Sequence, residues 1–480
     1  MSGRIERDSL GELEVPAEAL YGIQTQRALD NFPISGQGPH PDLVWATVVV
    51  KKAAALANSR SGRLDADLAG AILATADEIL DQGLWLDQFV VDRFQAGAGT
   101  SHNMNANELL ANRANELLGG RRGIYRPVHP HDHVNMSQSS NDAFPTMTRL
   151  ALLRGWGRTR AALIDLADAL ASKAEEFAEA VKPGRTHLQD AVPIRLGQEF
   201  GGYRTTVDKA IAGIDAAAAG LREVNLGATA VGTGMNATER YRVEVVAALR
   251  ELTGWDLRAP ENYFQVTQSA DDFVRFSGAV RGLAVELAKL ADDLRLLSSG
   301  PRFGLGDVRL PAVQPGSSIM PGKVNPVIAE MLDMVCFQVI GNDLAVSLAG
   351  LHGQLDLNVF VPLIANVLPA SLDLLDRAVR VFADRCIRGL TADPVRLAEN
   401  AARDTALATA LAPLIGYEKA AAVAQRAEGG GITVRDAALA EGVLDAGTLD
   451  RVLDLARLTA PGLPGLDVGG STRPQGGPEA

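Results

Sequence analysis

The stretch GSSIMPGKVNP, residues 316–326, sets two adjacent serines, a lysine and an asparagine among glycines and prolines. Pro315, Gly316, Pro321 and Gly322 interrupt regular structure, so the polar residues belong to a loop with two hinges. Glycines leave backbone N–H groups free to face an anion, and Pro326 is well placed to open a following helix. Lys323 and Asn325 then stand near that helix's N-terminus, where a charge, an amide donor and the helix dipole can together hold a carboxylate. A serine in such a place can be a nucleophile, or a base if donors stabilise its alkoxide. No G-x-S-x-G elbow accompanies it, which argues against a hydrolase. The types and spacing describe a small anion receptor with a hydroxyl able to move protons.

Something rigid must carry such a loop. Phe273, Phe276, Val280, Leu283, Leu287, Leu290, Leu294 and Leu297 recur alternately three and four apart, which is a heptad seam on one long helix. About 25 helical residues span nearly 40 Å, more than a small globule needs, so a helix bundle is expected. Leu150 to Val181 repeats the pattern through Leu163, Leu166, Leu170 and Phe177 and is expected to stop before Pro183. Further helical patterns cover 195–224 and 326–350, and another follows Pro362. Short polar links join them: MSQSSND at 136–142, PGRTHLQD at 183–190 and NLGATAVGTGMN at 225–236. The expected fold is all-α with little sheet. Its expected domains are a mixed, mainly helical one over 1–140, a central bundle with the serine loop over 141–395, and a small helical one over 396–480. From Pro461 onward Pro and Gly dominate, and that tail is expected to be disordered.

Composition narrows the function. The chain has 480 residues, 47% of them hydrophobic, and its 58 acids against 46 bases give a net charge of −12. No Lys/Arg stripe is present, so nucleic acid is not an expected partner. No uninterrupted apolar run of about 18 residues and no apolar signal core at the start are seen, so a cytoplasmic protein away from membranes is expected. Cys336 and Cys386 sit in apolar helical patterns and read as buried free thiols. No nucleotide, flavin or pyridoxal motif appears, and no metal cluster is assigned. His129, His131 and His133 alternate in HPHDH and would share a face if extended.

The serine loop is similar to the signature loop of the aspartase/fumarase superfamily, and the resemblance extends over most of the chain. YGIQTQRALDNFPISG (21–36), QAGAGTSHNMNANELLANRA (95–114), HVNMSQSSNDAFPT (133–146), GRTHLQDAVPIRLGQEF (184–200) and NLGATAVGTGMN all look like family blocks, in family order. The resemblance implies an anti-elimination that yields fumarate, with Ser317 as base and an aci-carboxylate intermediate. It implies Thr100, Ser101, Ser139, Ser140 and Ser318 as substrate-binding residues, mostly donors to the developing charge. Lys323, Asn325 and Thr186 would hold the other carboxylate. Asn141 and His187 would lie by the leaving group, with Glu330 as the partner of His187. It also implies a homotetramer with each site built from three subunits, a small dicarboxylate substrate and no cofactor. His102 departs from the pattern, where a small or apolar residue is expected. His129, Asp132 and Arg126 resemble a secondary anion-binding loop of fumarases, with His131 in place of an Asn. The blocks VNLGATAVGTG, DNFPISG, LRLLSSGPR and VNPV lean towards elimination of ammonia from L-aspartate; RPVHPHD and QSSND lean towards hydration of fumarate. The expected activity is the first. The alternatives are the second, a lyase for a substituted aspartate, and a catalytically silent structural relative.

Overall fold

The computed structural model describes residues 3–464. Most of the tail singled out above therefore lies outside the described residues. Helices dominate, as the Ala/Leu-rich composition requires. A short hairpin of β1 (Gly3–Asp8) and β2 (Gly11–Pro16) comes first, followed by α1 (Ile23–Asn31), α2 (Pro41–Arg60), α3 (Ala66–Gln82) and α4 (Thr100–Leu117). Next come α5 (Ser140–Glu176), the hairpin β3 (Val181–Thr186) and β4 (Gln189–Arg195), and α6 (Leu196–Ala218). Helices α7 (Glu239–Thr253), α8 (Tyr263–Gln268), α9 (Asp271–Leu297), α10 (Val327–Leu351) and α11 (Val361–Phe382) complete the long part of the chain. Shorter helices follow to residue 459.

Contacts divide the chain into two compact units. One comprises Met1–Ile164, Lys209–Ala288 and Met331–Arg380; the other comprises Asp165–Asp208, Lys289–Glu330 and Val381–Ala480. Within the first, Val48, Ile72, Leu109 and Leu110 centre an apolar core between α2, α3 and α4. Within the second, Leu411, Val434, Leu449 and Val452 centre another.

The seam on α9 is real, and all eight of its residues are buried. One chain alone already covers it. The bare stripe is on α10 instead. Ala329, Leu332, Cys336, Val339, Asp343 and Val346 form its buried seam, with Asp343 accepting from Ser277 Oγ at 2.6 Å and Arg281 Nη1 at 3.2 Å on α9. A second seam on the same helix, Met334, Phe337, Gly341, Leu344, Leu348 and Leu351, faces solvent, with Leu344 63% and Leu351 72% exposed. By length and composition α10 is also apolar enough to cross a membrane. Cys336 and Cys386 are buried free thiols, and burial pushes both up to about 12.

Two local expectations fail for identifiable reasons. Helix α5 starts ten residues before Leu150 and ends at Glu176, leaving Val181 to strand β3. Pro145 does not stop it. Ser139 precedes the helix, its Oγ accepting from Asn141 N–H at 3.3 Å, while Asp142 Oδ1 accepts from Ser139 N–H at 2.8 Å in a reciprocal cap. The carbonyl of Asn141, which Pro145 cannot serve, accepts from Asn225 Nδ2 at 3.3 Å. The second failure is the 183–190 link, which is a hairpin rather than a loop. Thr186 pairs with Gln189, and His187 and Leu188 form the two-residue turn with φ of 56° and 62°.

Candidate active site

In the second unit the serine loop is closed at its neck by its own backbone. Gly316 N–H donates to Lys323 O at 2.7 Å and Asn325 Nδ2 donates to Gly316 O at 2.6 Å. A side chain at Gly316 would meet that Lys323 oxygen at 2.7 Å, so only glycine fits. Inside the loop, Ser317 Oγ accepts from Ile319 N–H at 3.2 Å and Met320 N–H at 2.9 Å. Two donors on one hydroxyl oxygen favour its deprotonated form. Ser318, Ile319, Met320 and Lys323 are exposed, and a cavity of about 520 Å³ is lined by Ser317, Met320 and Lys323 among others. Asn325 is the clasp of the loop as well as a candidate ligand. Glu330 lies in the first turn of α10, its N–H on Pro326 O at 3.1 Å.

The β3–β4 hairpin, also in the second unit, presents Thr186 and His187 at an exposed tip. Its base is pinned by charge: buried Asp307 accepts from Arg185 Nη1 at 2.5 Å and Lys182 Nζ at 3.0 Å, and Lys182 also reaches Glu199 at 3.0 Å. Two non-glycine residues in left-handed conformation are strained by about 1–2 kcal/mol each, which a merely connecting turn would avoid with Asn-Gly. Among the described residues His187 and Glu330 make no hydrogen bond or ion pair with each other within one chain.

The remaining candidates cluster in the first unit, at the adjacent N-termini of α4 and α5. Thr100 and Ser101 open α4; Ser139, Ser140 and Asn141 open α5. The ends are held close because the Phe144 ring lies where a side chain on Gly99 would be, 2.2 Å from such a Cβ. Asn103 Nδ2 on α4 donates to Ser140 Oγ at 3.1 Å. Asn141 Nδ2 donates to Ala230 O at 2.8 Å, and Asp142 Oδ2 accepts from Gly227 and Thr229 N–H at 2.9 and 2.8 Å, which anchors the 225–236 loop. Burial raises Asp142 to about 6 despite those donors. Two helix N-termini carrying hydroxyls and an amide make a positive, donor-rich surface suited to a carboxylate.

Several residues here escaped sequence reading: the N–H groups of Ile319 and Met320, and the buried Lys51 and Asn103 with the half-buried Asn135 behind Ser140. The only signal was chemical incongruity, a lysine in VVVKKAAA and asparagines in NMNANELLAN. His102 does not reshape a substrate pocket. It is fully buried between the rings of Phe89 and Phe144, 6.0 and 5.8 Å away. Thr47 Oγ donates to Leu43 O, so it accepts the His102 Nε2 proton at 2.7 Å and fixes that tautomer. Burial lowers His102 from 6.5 to about 3. The unfolded chain therefore binds a proton that the folded one refuses, and stability falls as pH drops below 6.5. Between pH 7 and 5 this group alone costs about 2 kcal/mol. Thermal melts should show a smaller acid-side loss in His102→Met than in the parent; equal losses would contradict this.

The HPHDH segment is a π-turn, Pro130–Val134, not an extended strand. Its His133 Nδ1 accepts from His129 N–H at 2.8 Å, and His131 Nε2 lies 2.8 Å from Gln24 Nε2, so the three rings do not form a shared ligand face. Among the described residues, metal-ligand spacing is approached by His40, Asp42 and Asp373, but Arg158 bridges the two carboxylates at 2.5 and 2.8 Å.

Residues 11–341 match a family profile described as Lyase, and residues 407–460 match one described as Fumarase C C-terminus. The chain is 45% identical over 465 residues to an aspartate ammonia-lyase of Bacillus subtilis, covering 97% of this chain and 98% of that one. It is 48% identical over 449 residues to a class II fumarate hydratase of Thermosynechococcus vestitus, covering 93% and 96%. A crystal structure of a fumarate lyase:delta crystallin from Brucella melitensis bound to cobalt superposes with a TM-score of 0.93 at 50% identity, covering 96% of this chain and all of that one. On its helical architecture, its ordered motif blocks and these matches, the chain belongs to the aspartase/fumarase superfamily of lyases.

Proposed function

We propose that the protein is an aspartate ammonia-lyase, interconverting L-aspartate with fumarate and ammonia. The observation that carries the mechanism is Ser317 Oγ receiving two backbone N–H groups. As an alkoxide it takes one proton from the carbon next to the β-carboxylate. The electron pair moves into that carboxylate, giving an aci-carboxylate with two negative charges. Return of the pair forms the double bond and expels the amine on the opposite face. Thr100, Ser139, Ser140 and Ser318 hold the extra charge, with Ser101 beside them in the substrate-binding set, and each donor is worth roughly 3 kcal/mol of barrier by the scale of oxyanion-hole mutants. Lys323, Asn325 and Thr186 hold the other carboxylate; Asn141 and His187, the latter paired with Glu330, surround the amine.

We infer that copies of the chain assemble as a homotetramer and that three of them contribute to each site. The bare heptad stripe on α10 supports this, since such a face left in water is an association surface. His187 and Glu330, whose side chains have no hydrogen-bond or ion-pair partner among the described residues, fit the same reading, with each meeting a residue of another copy.

Hydration of fumarate is the second reading, favoured by QSSND and RPVHPHD and by fumarases of comparable similarity. The burial of His102 removes the reason for invoking a substituted aspartate. Separate incubations with L-aspartate and L-malate, followed by the ultraviolet absorbance of fumarate, test the choice: rapid formation from aspartate is expected, and formation from malate alone would overturn it. Lys323→Ala should raise KM for L-aspartate about tenfold to a hundredfold, the worth of a hydrogen bond to a charged group. An unchanged KM in initial-rate measurements would remove Lys323 from the site.

A further inference from the structure

We propose that Lys51, on α2, is a positioning residue for the lyase reaction, acting on Ser140 through Asn135 and Asn103. The inference rests on the reading above, in which Ser140 donates to the substrate.

Lys51 is fully buried in an otherwise apolar helical run. Its neighbour Lys52 reaches a carboxylate, Asp77. Lys51 does not: among the described residues its Nζ meets only neutral oxygens, Asn135 Oδ1 at 3.1 Å and Gln138 Oε1 at 2.9 Å. Burying a charge without a counter-ion is expensive, and a methionine would fill the same space without that cost. Burial is enough to lower the ammonium to about 7, with Asp142 opposing through space.

The ammonium imposes a direction on everything downstream. It can only donate, so Asn135 must turn its oxygen towards Lys51. The same oxygen accepts from Asn103 Nδ2 and Asn107 Nδ2, each at 3.1 Å. Asn103 is thereby oriented with its NH2 group inward, and that group also donates to Ser140 Oγ at 3.1 Å. A flipped Asn103 would set its oxygen against that of Asn135 and would draw the Ser140 proton inward, away from the surface. Ser140 Oγ already accepts from within the protein, so its own proton is free to point outward. A buried cation thus fixes a substrate-facing hydroxyl as a donor, three hydrogen bonds away.

The test is Lys51→Met, with Asn103→Ala and the double variant, assayed with whichever of L-aspartate and L-malate the parent turns over. Positioning predicts an intact oligomer and a Tm unchanged or raised, because an uncompensated charge is removed. It also predicts a kcat at least tenfold lower with KM shifted less than threefold, since a donor gains most as charge develops. Losses in the double variant should fall well short of additive. A structural role predicts the reverse: a lowered Tm with kcat unchanged. A Lys51→Met oligomer with kcat within twofold of the parent overturns the proposal. If Lys51→Met does not assemble, Asn103→Ala alone decides it by the same kcat limits. Turnover of malate only would defeat the aspartase reading and leave this proposal to be decided on malate. Turnover of neither would defeat both.

Discussion

Replacing Ser317 by Ala should lower turnover of L-aspartate by about three orders of magnitude, within the range a positioned general base supplies. The fold should not notice. The loop is closed by Gly316, Lys323 and Asn325 rather than by the Ser317 side chain, and the N–H groups of Ile319 and Met320 lie in an exposed segment where water can replace the lost oxygen. KM should change little, because in the proposed mechanism the hydroxyl strips the proton and does not hold the dicarboxylate. Ser318→Ala should be milder, near the roughly 3 kcal/mol of a single donor. Stopped assays with ammonia detection, alongside sedimentation to check the assembly, read both. A Ser317→Ala enzyme within tenfold of the parent would mean that another group is the base.

The second large effect is expected from the bare face of α10. Phe337 and Leu344 are 59% and 63% exposed in one chain, a turn or two apart on the same stripe. Covering side chains of this size contributes about 1.5–3 kcal/mol each, repeated for every copy in a symmetric assembly. Introducing Leu344→Arg together with Phe337→Glu places charges where apolar surface should be buried. The assembly should fall to single chains of 50.6 kDa and activity should vanish, although no candidate catalytic residue has been touched. A double variant that remains a tetramer, or that works as a single chain, would contradict the shared-site reading.

What the sequence made legible, and what it hid, follows from where the deciding interactions lie. The α9 seam could be read because the three-and-four spacing of Phe273 to Leu297 is local. The serine loop could be read because Gly316 and Gly322 mark backbone geometry that few other residues accept; Gly322 has φ of 81°. The 183–190 hairpin was hidden because strand β3 contains Pro183 and Gly184 and its turn uses His187 and Leu188, residues with no turn signature. Its pairing is enforced from a distance by Asp307. The N-terminal turns of α5 were hidden for a similar reason: Pro145 reads as a breaker until Asn225, eighty residues away in sequence, takes up the carbonyl it abandons. Of the candidate site, residue types were legible from the motif blocks, but Lys51 was not. Among the described residues its Nζ bonds to no carboxylate, and sequence does not display such an absence.

In the proposed reaction ammonia departs on the face opposite to the proton taken by a loop serine, which ties the leaving group to the mechanism. The reverse reaction tests both at once. Fumarate and ammonia incubated with the protein in deuterium oxide, then analysed by proton NMR, should give L-aspartate carrying one deuterium at C3 in a single configuration, anti to the new amine. Malate as the product, or deuterium in both C3 positions at early times, would contradict the account.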